Sequence, residues 1–259
     1  SNREFRNSNQ YFLAINNSSR GKSLKEFLKK YSEVDEKGNK RKINTRNVKI
    51  LRTKFFIKLP PEIMIRVMAE NSNLIFKNDI KNQLVVNART TNLKFQNIQN
   101  PFNVLDVVNG NFRANFLEGG TYKFTHVDEV QVAQLKKVDV DTEFSDVEIG
   151  EIAGSVRIVD FNSKFWFHNF SQDFKEFKME SDYSEINLFF PEKSEYFIET
   201  FGYNTVHYWG GIITEIPPSR KKERSKMMLI GEELNPNKIK INITNGIIRF
   251  GEDFIDVKK

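Results

Sequence analysis

The sequence predicts an all-β protein: a single-stranded, right-handed parallel β-helix, or solenoid, of about nine coils behind an N-terminal cap that contains a helix. Three observations carry this. From residue 43 onward Phe, Val, Ile, Asn and Thr dominate, and the chain has 24 Phe against 13 Gly, the composition of strands and turns. A pair of apolar residues separated by one position recurs about every 19 residues. A small or turn-forming residue stands two positions before each pair.

Residues 1–60 are the expected cap. Ser23 and Glu26 stand at capping-box spacing, and Leu24, Phe27, Leu28 and Tyr31 then share one helical face. The spacing predicts a helix over 23–31, with Lys29 and Lys30 favourable at its C-terminal end. A polar loop follows from Glu33 to Lys42. Val48 to Leu59 then reads as strand, stopped by Pro60 and Pro61.

Residues 61–259 are the repeat domain. The paired positions are Leu74/Phe76, Leu93/Phe95, Phe112/Ala114, Val130/Val132, Val147/Ile149, Phe165/Phe167, Ile186/Leu188 and Val206/Tyr208, with Ile248/Phe250 after a longer gap. The turn column before them reads Ser72, Thr91, Gly110, Asp128, Ser145, Ser163, Ser184, Asn204 and Gly246. A second alternating strand lies upstream, at Ile63/Ile65, Leu84/Val86, Leu105/Val107, Val138/Val140, Val156/Ile158, Phe177/Met179 and Ile239/Ile241. A third apolar column, Ile80, Ile98, Leu117, Leu135, Ile152 and Phe170, follows the early pairs.

One such unit cannot bury its apolar side alone. Stacked at about 4.8 Å, each strand pairs with its equivalent in the next coil and the apolar columns become continuous. An antiparallel sandwich is the rival fold, but it has no reason to hold a turn column in register over eight coils. Right-handed coiling is the default for parallel crossovers. The stretch 209–238, marked by Pro217-Pro218 and Asn235-Pro236, reads as an insertion loop before the closing coil.

The function classes narrow by chemistry. No cysteine is present, which excludes disulfides and thiolate metal sites. A net charge of +6, from 40 basic and 34 acidic residues mostly interspersed, gives no nucleic-acid signature. No apolar run reaches the ~20 residues of a membrane-spanning helix. Gly21-Lys22-Ser23 suggests a phosphate-binding loop, but the required first glycine is replaced by Asn16.

His126, His168 and His207 lack metal-ligand spacing, and His207, alternating between Val206 and Tyr208, is expected to face outward. Asp139, Asp141, Glu143, Asp146 and Glu148 offer paired carboxylates without an evident basic partner at matched coil positions, so no catalytic residue, cofactor site or metal site is assigned. The outward column between the pairs reads Ile75, Lys94, Arg113, Gln131, Glu148, Trp166, Asn187, His207 and Arg249. Trp166 is its large aromatic, suited to a sugar or protein contact or to packing under a loop. The basic run Arg220, Lys221, Lys222 and Arg224 is either a solvated loop or a partner patch.

The stretches "VDVDTEFSDVEIGEI", "FKMESDYSEINLFF", "FIETFGYNTVHY" and "IKINITNGIIRFG" resemble the bacterial adhesin-type β-strand repeat family DUF4097, in members of the Bacteroidetes kind. The resemblance covers roughly residues 60–251 and implies a solenoid that is secreted, periplasmic or held at the cell surface. The expectation is therefore a non-catalytic binding or adhesion scaffold for a protein or glycan ligand, with no nucleic-acid partner. The alternatives are a carbohydrate-active β-helix enzyme and a self-associating structural protein.

Overall fold

The structure is a computed structural model describing residues 32–34, 40–42, 56–60, 63–189, 196–209, 212–215, 225–230 and 234–251, with backbone alone at 32–34, 40–42, 209, 212–215 and 225–230. It divides into two units, Ser1–Pro60 and Pro61–Lys259. In the first, β1 (Ser32–Val34) and β2 (Lys40–Lys42) pair antiparallel, so the expected polar loop is a short hairpin. The helix expected at 23–31 lies outside the described residues. Residues 56–60, the end of the expected strand 48–59, form no strand, and Phe56, Ile57 and Leu59 are exposed.

The second unit is a parallel β-solenoid with about seven turns stacked in chain order. The turns run β3 (Ile65–Glu70) with β4 (Asn73–Ile75), β5 (Leu84–Lys94) with β6 (Asn97–Gln99), β7 (Val104–Glu118), β8 (Thr121–Lys136), β9 (Asp139–Glu143) with β10 (Asp146–Ala153), β11 (Ser155–Phe161) with β12 (Lys164–Phe167), and β13 (Glu176–Asp182) with β14 (Glu185–Phe189). No helix occurs among the described residues. The predicted pairs meet in register, Leu74 on Leu93, Leu93 on Phe112, Phe112 on Val130, Val130 on Val147, Val147 on Phe165 and Phe165 on Ile186. Burial follows the period of two, and these side chains from Leu93 onward are almost wholly removed from water.

Two readings of the upstream strand change. Ile65 and Val67 pair with Leu84 and Val86, so the inward pair of the first turn is Ile65/Val67, and Ile63 is exposed. The fourth turn, which has no pair in the upstream column of the sequence, supplies Tyr122 and Phe124 there, both buried. Phenylalanine fills the interior by contact between turns: Phe76 stacks on Phe95 at 4.2 Å, and Phe112 meets Phe124 at 4.9 Å.

The turn column has a common bonding pattern. The hydroxyls of Ser72, Thr91, Ser145, Ser163 and Thr205 each donate to the carbonyl two residues back, Glu70, Arg89, Glu143, Phe161 and Tyr203. The residue between is left-handed at every such corner: Asn71, Thr90, Phe144, Asn162 and Asn204. Serine also ties turn to turn. Val127 N–H donates to Ser145 Oγ (3.1 Å), Ser145 N–H to Ser163 Oγ (3.1 Å) and Ser163 N–H to Ser184 Oγ (3.2 Å). These buried amides have no water to turn to, so a hydroxyl in this column satisfies two backbone groups at once.

Gly110 holds the column where the chains approach most closely. Its φ is +102°, and a Cβ there would lie 2.3 Å from Thr91 O. The next turn places Val127 opposite Gly110, and a register shift leaves Asp128, the residue expected at that corner, as an extra bulged residue. Beside the serines, the buried Asp160 carboxylate accepts from Thr142 Oγ1 (2.7 Å), Ser181 Oγ (2.9 Å) and Ser184 Oγ. A buried carboxylate is tolerated only when its lone pairs are met in this way.

The last coils enter the stack out of chain order. β15 (Phe197–Tyr203) and β16 (Val206–Trp209) do not lie on β13 and β14. Instead β19 (Lys238–Thr244) and β20 (Ile247–Gly251) do, and they are paired on their other side with β15 and β16. The stretch expected to be a loop contributes β17 (Ile212–Glu215) and β18 (Ser225–Ile230), which pair antiparallel with β16 and β15. Antiparallel strands on the outer side of β15 and β16 end the parallel stack and occupy edges that would otherwise recruit another chain.

A candidate ligand-binding face

The outward residues of the second strand of each turn form one row, because parallel register places equivalent residues directly above one another at about 4.8 Å. Gln131 lies beside Glu148, Glu148 beside Trp166, Trp166 beside Asn187, Asn187 beside Arg249 and Arg249 beside Tyr208. The expected row is therefore present with its last members reordered, and Tyr208 stands where His207 was expected.

The row is bonded along its length. Gln131 Nε2 donates to Glu148 Oε2 (3.0 Å), and His168 Nε2 lies 3.2 Å from Glu148 Oε1. The His168 ring stacks on Phe189 at 5.4 Å. Further along, Asn187 is buried, and its Nδ2 donates to Phe165 O (3.0 Å). Arg249 Nη1 donates to Glu185 Oε1 and to Asn187 Oδ1 (3.4 Å), and its guanidinium lies 5.3 Å from the Tyr208 ring centroid. Between these groups Trp166 is half-buried, and among the described residues its indole makes no ring contact or hydrogen bond. The combination offers an aromatic surface with Glu148 on one side and the Asn187–Arg249 pair on the other. Such an arrangement can hold a pyranose ring by its apolar face and its hydroxyls by charged acceptors and donors.

His207 is elsewhere. Its backbone pairs with Ile248, its side chain is 1% exposed, and it points into the core beside Phe250. The shift follows from the corner: Asn204 is the left-handed residue and Thr205 the hydroxyl, so the inward position falls on residue 207 and not 206. His207 Nε2 lies 3.0 Å from Thr200 Oγ1, while Nδ1 has no partner among the described residues. Burial lowers its pKa to about 4, so the ring is neutral near pH 7.

The carboxylates Asp139 and Asp141 are exposed on the first face of the turn, as expected. Basic residues do stand at matched positions, contrary to expectation: Asp139 is in register with Arg157 and Asp141 with Lys123. Sequence spacing hides Lys123, because the upstream column has no pair in β8, whereas Arg157 lies between Val156 and Ile158 as Asp139 lies between Val138 and Val140 and was open to the same spacing. Among the described residues no cluster of His, Asp and Glu could hold a metal ion. Arg220, Lys221, Lys222 and Arg224 lie outside the described residues.

No family model, curated protein or solved structure matches this chain.

Proposed function

We propose that the protein is a non-catalytic binding scaffold, exported from a bacterial cell, that holds an elongated glycan along the outward row through Trp166. The observation that carries this reading is the register itself: Glu148, Trp166, Asn187, Arg249 and Tyr208 stand in consecutive rungs of one face. A repeating ligand meets a repeating surface, and each rung adds a small contact to a long one. The likeness of the coils to the adhesin-type repeat family supports the same reading, including export and adhesion. No helix among the described residues is long and apolar enough to cross a membrane.

A polysaccharide array tests it. The full chain is expected to retain at least one class of glycan, and Trp166→Ala is expected to weaken retention about tenfold or more, the size of one lost aromatic contact with its desolvated neighbours. Retention of none, or equal retention by Trp166→Ala, overturns the reading. Cleavage of a retained glycan that is lost with Asp141→Asn would replace it with the enzymatic alternative, for which the Asp141–Lys123 and Asp139–Arg157 register is the supporting observation.

A further inference from the structure

A second exposed feature occupies a corner of the turn, away from Trp166. Four rings stand one above another in four consecutive turns. His126 stacks on Phe144 (4.9 Å, interplanar 4°), Phe144 meets Phe161 edge-on (5.4 Å, 84°), and Phe161 meets Tyr183 in the same manner (5.8 Å, 74°). Three of them hold left-handed backbone, with φ of 52° at His126, 48° at Phe144 and 59° at Tyr183. Asparagine takes that conformation at residues 71, 109, 162, 204 and 245. Bulky residues adopt it at greater cost than asparagine, whose short side chain bonds locally. Where asparagine does hold the corner, at Asn162, the ring comes from its neighbour Phe161 and the row is unbroken. The rings are not covered: Phe144 and Phe161 are each 39% exposed and Tyr183 is 55% exposed.

The charge around the row opposes that of the chain, which carries +6. Phe161 lies in register between Glu143 and Asp182. Asp128 and Asp146 follow His126 and Phe144 by two residues. Asp128, Glu143 and Asp146 make no ion pair among the described residues, although Lys164 stands beside Asp146 in register, and the nearby Glu129 and Glu185 are already paired with Arg113 and Arg249. Carboxylates outside ion pairs would repel an anionic partner and would give an apolar one nothing. Next to aromatic rings they favour cations, which gain both from the ring quadrupole and from a charge-assisted hydrogen bond.

We propose that this corner row docks an extended basic segment of a partner polypeptide, its arginine or lysine stems lying along the rings and its charged heads reaching the carboxylates. The proposal is independent of the glycan reading of the Trp166 face.

The test is fluorescence anisotropy of the full chain with a labelled peptide of alternating arginine and serine. Saturable binding is expected, weakening as salt is raised. The informative variant is Phe144→Asn with Tyr183→Asn, because asparagine is the residue other corners use and the melting temperature is expected to hold or rise. That variant is expected to lose about tenfold or more in affinity. Glu143→Gln with Asp146→Asn is expected to lose a similar factor and to flatten the salt dependence, while Trp166→Ala binds as the parent does. The proposal is overturned by an absence of saturable binding, by equal binding of a leucine–serine peptide, or by an asparagine variant that binds the peptide unchanged. A lower melting temperature in that variant, with no effect on the peptide, would make the row a structural strut. Salt-sensitive self-association competed by the peptide would assign the row to a second copy and overturn a separate partner.

Discussion

The middle of the solenoid and its C-terminal end are built from the same kind of coil, yet they are assembled differently. From β5 to β14 each turn lies on the one before it in the chain. At the end, the coil of β19 and β20 passes between β13–β14 and β15–β16, so the last coil in sequence is not the last in space. The difference teaches that a repeat specifies what a rung looks like and not which rung it neighbours. Connection length does not by itself enforce chain order, because the seven residues between β14 and β15 pass the β19–β20 coil although eight join β12 to the adjacent β13. The 28 residues between β16 and β19 let the chain return to the place left open.

The sharpest way to break this comparison is covalent. The chain has no cysteine, so an introduced pair reports alone. Glu180 is in register with Asn242, and Asn242 with Phe201. Glu180→Cys with Asn242→Cys is expected to crosslink on mild oxidation, whereas Glu180→Cys with Phe201→Cys, two rungs apart, is expected to stay reduced. The opposite outcome, read on non-reducing gels with mass mapping, would restore chain order.

Cavity formation comes next in size. Phe165→Ala removes a fully buried ring between Val147 and Ile186 and is expected to cost ~3–5 kcal/mol in denaturant unfolding. A loss under about 1 kcal/mol would mean the middle is less tightly packed than its burial indicates.

The end should respond to acid through His207. His207 is held neutral by burial with its pKa near 4, while in the unfolded chain it protonates near 6.5. The unfolded state therefore takes up a proton between these values and the folded state does not. Stability is at its full value above pH 6.5, falls as the pH drops from 6.5 to 4, and is level with respect to this group below that. The full loss is on the order of 3 kcal/mol. His207→Leu should flatten this window in unfolding titrations, and an unchanged slope would place the acid sensitivity elsewhere.

The smallest of these effects concerns the corners. Ser163→Ala leaves the buried Ser145 N–H without its acceptor and is expected to cost about 1–3 kcal/mol. Ser72→Ala, at an exposed corner whose serine bonds its own Glu70 carbonyl, should cost less than about 1 kcal/mol. Equal losses at the two sites would mean that the bond between turns contributes nothing beyond the local one.

Much of the interior was legible from sequence. The pairs from Leu74/Phe76 to Ile186/Leu188 are inward, as their alternation implied, and the third column of Ile98, Leu117, Leu135 and Ile152 is fully buried. The candidate face was legible in part, since Trp166, Glu148 and Asn187 follow directly from the same alternation. The two errors at the corners share one cause. Asp128 and Asn204 have turn-forming side chains, so each was taken as the corner, although the corner position is the residue after the left-handed one, Val127 after His126 and Thr205 after Asn204. At Asn204 the slip was one residue, and with a period of two it turned His207 from core to surface. The aromatic corner row was legible only in part: the turn column implies stacked corners, and Phe144 and Tyr183 precede Ser145 and Ser184 in it, but the ring contacts and the place of Phe161 in the row come from the structure.

The sequence by itself determined the rung. Its alternation sets which side chains face inward, its hydroxyls and asparagines set where the chain bends, and both are local effects of backbone sterics and short-range hydrogen bonding. Only the tertiary structure decided the neighbours: which rung lies on which, that β19 and β20 go inside β15 and β16, and that Phe144, Phe161 and Tyr183 share one column. The physical reason is that rung contacts join residues about 20 positions apart through backbone hydrogen bonds that are alike for every rung. Backbone pairing is indifferent to which rung it joins, so the order is set by side-chain fit and connection length summed over the whole stack.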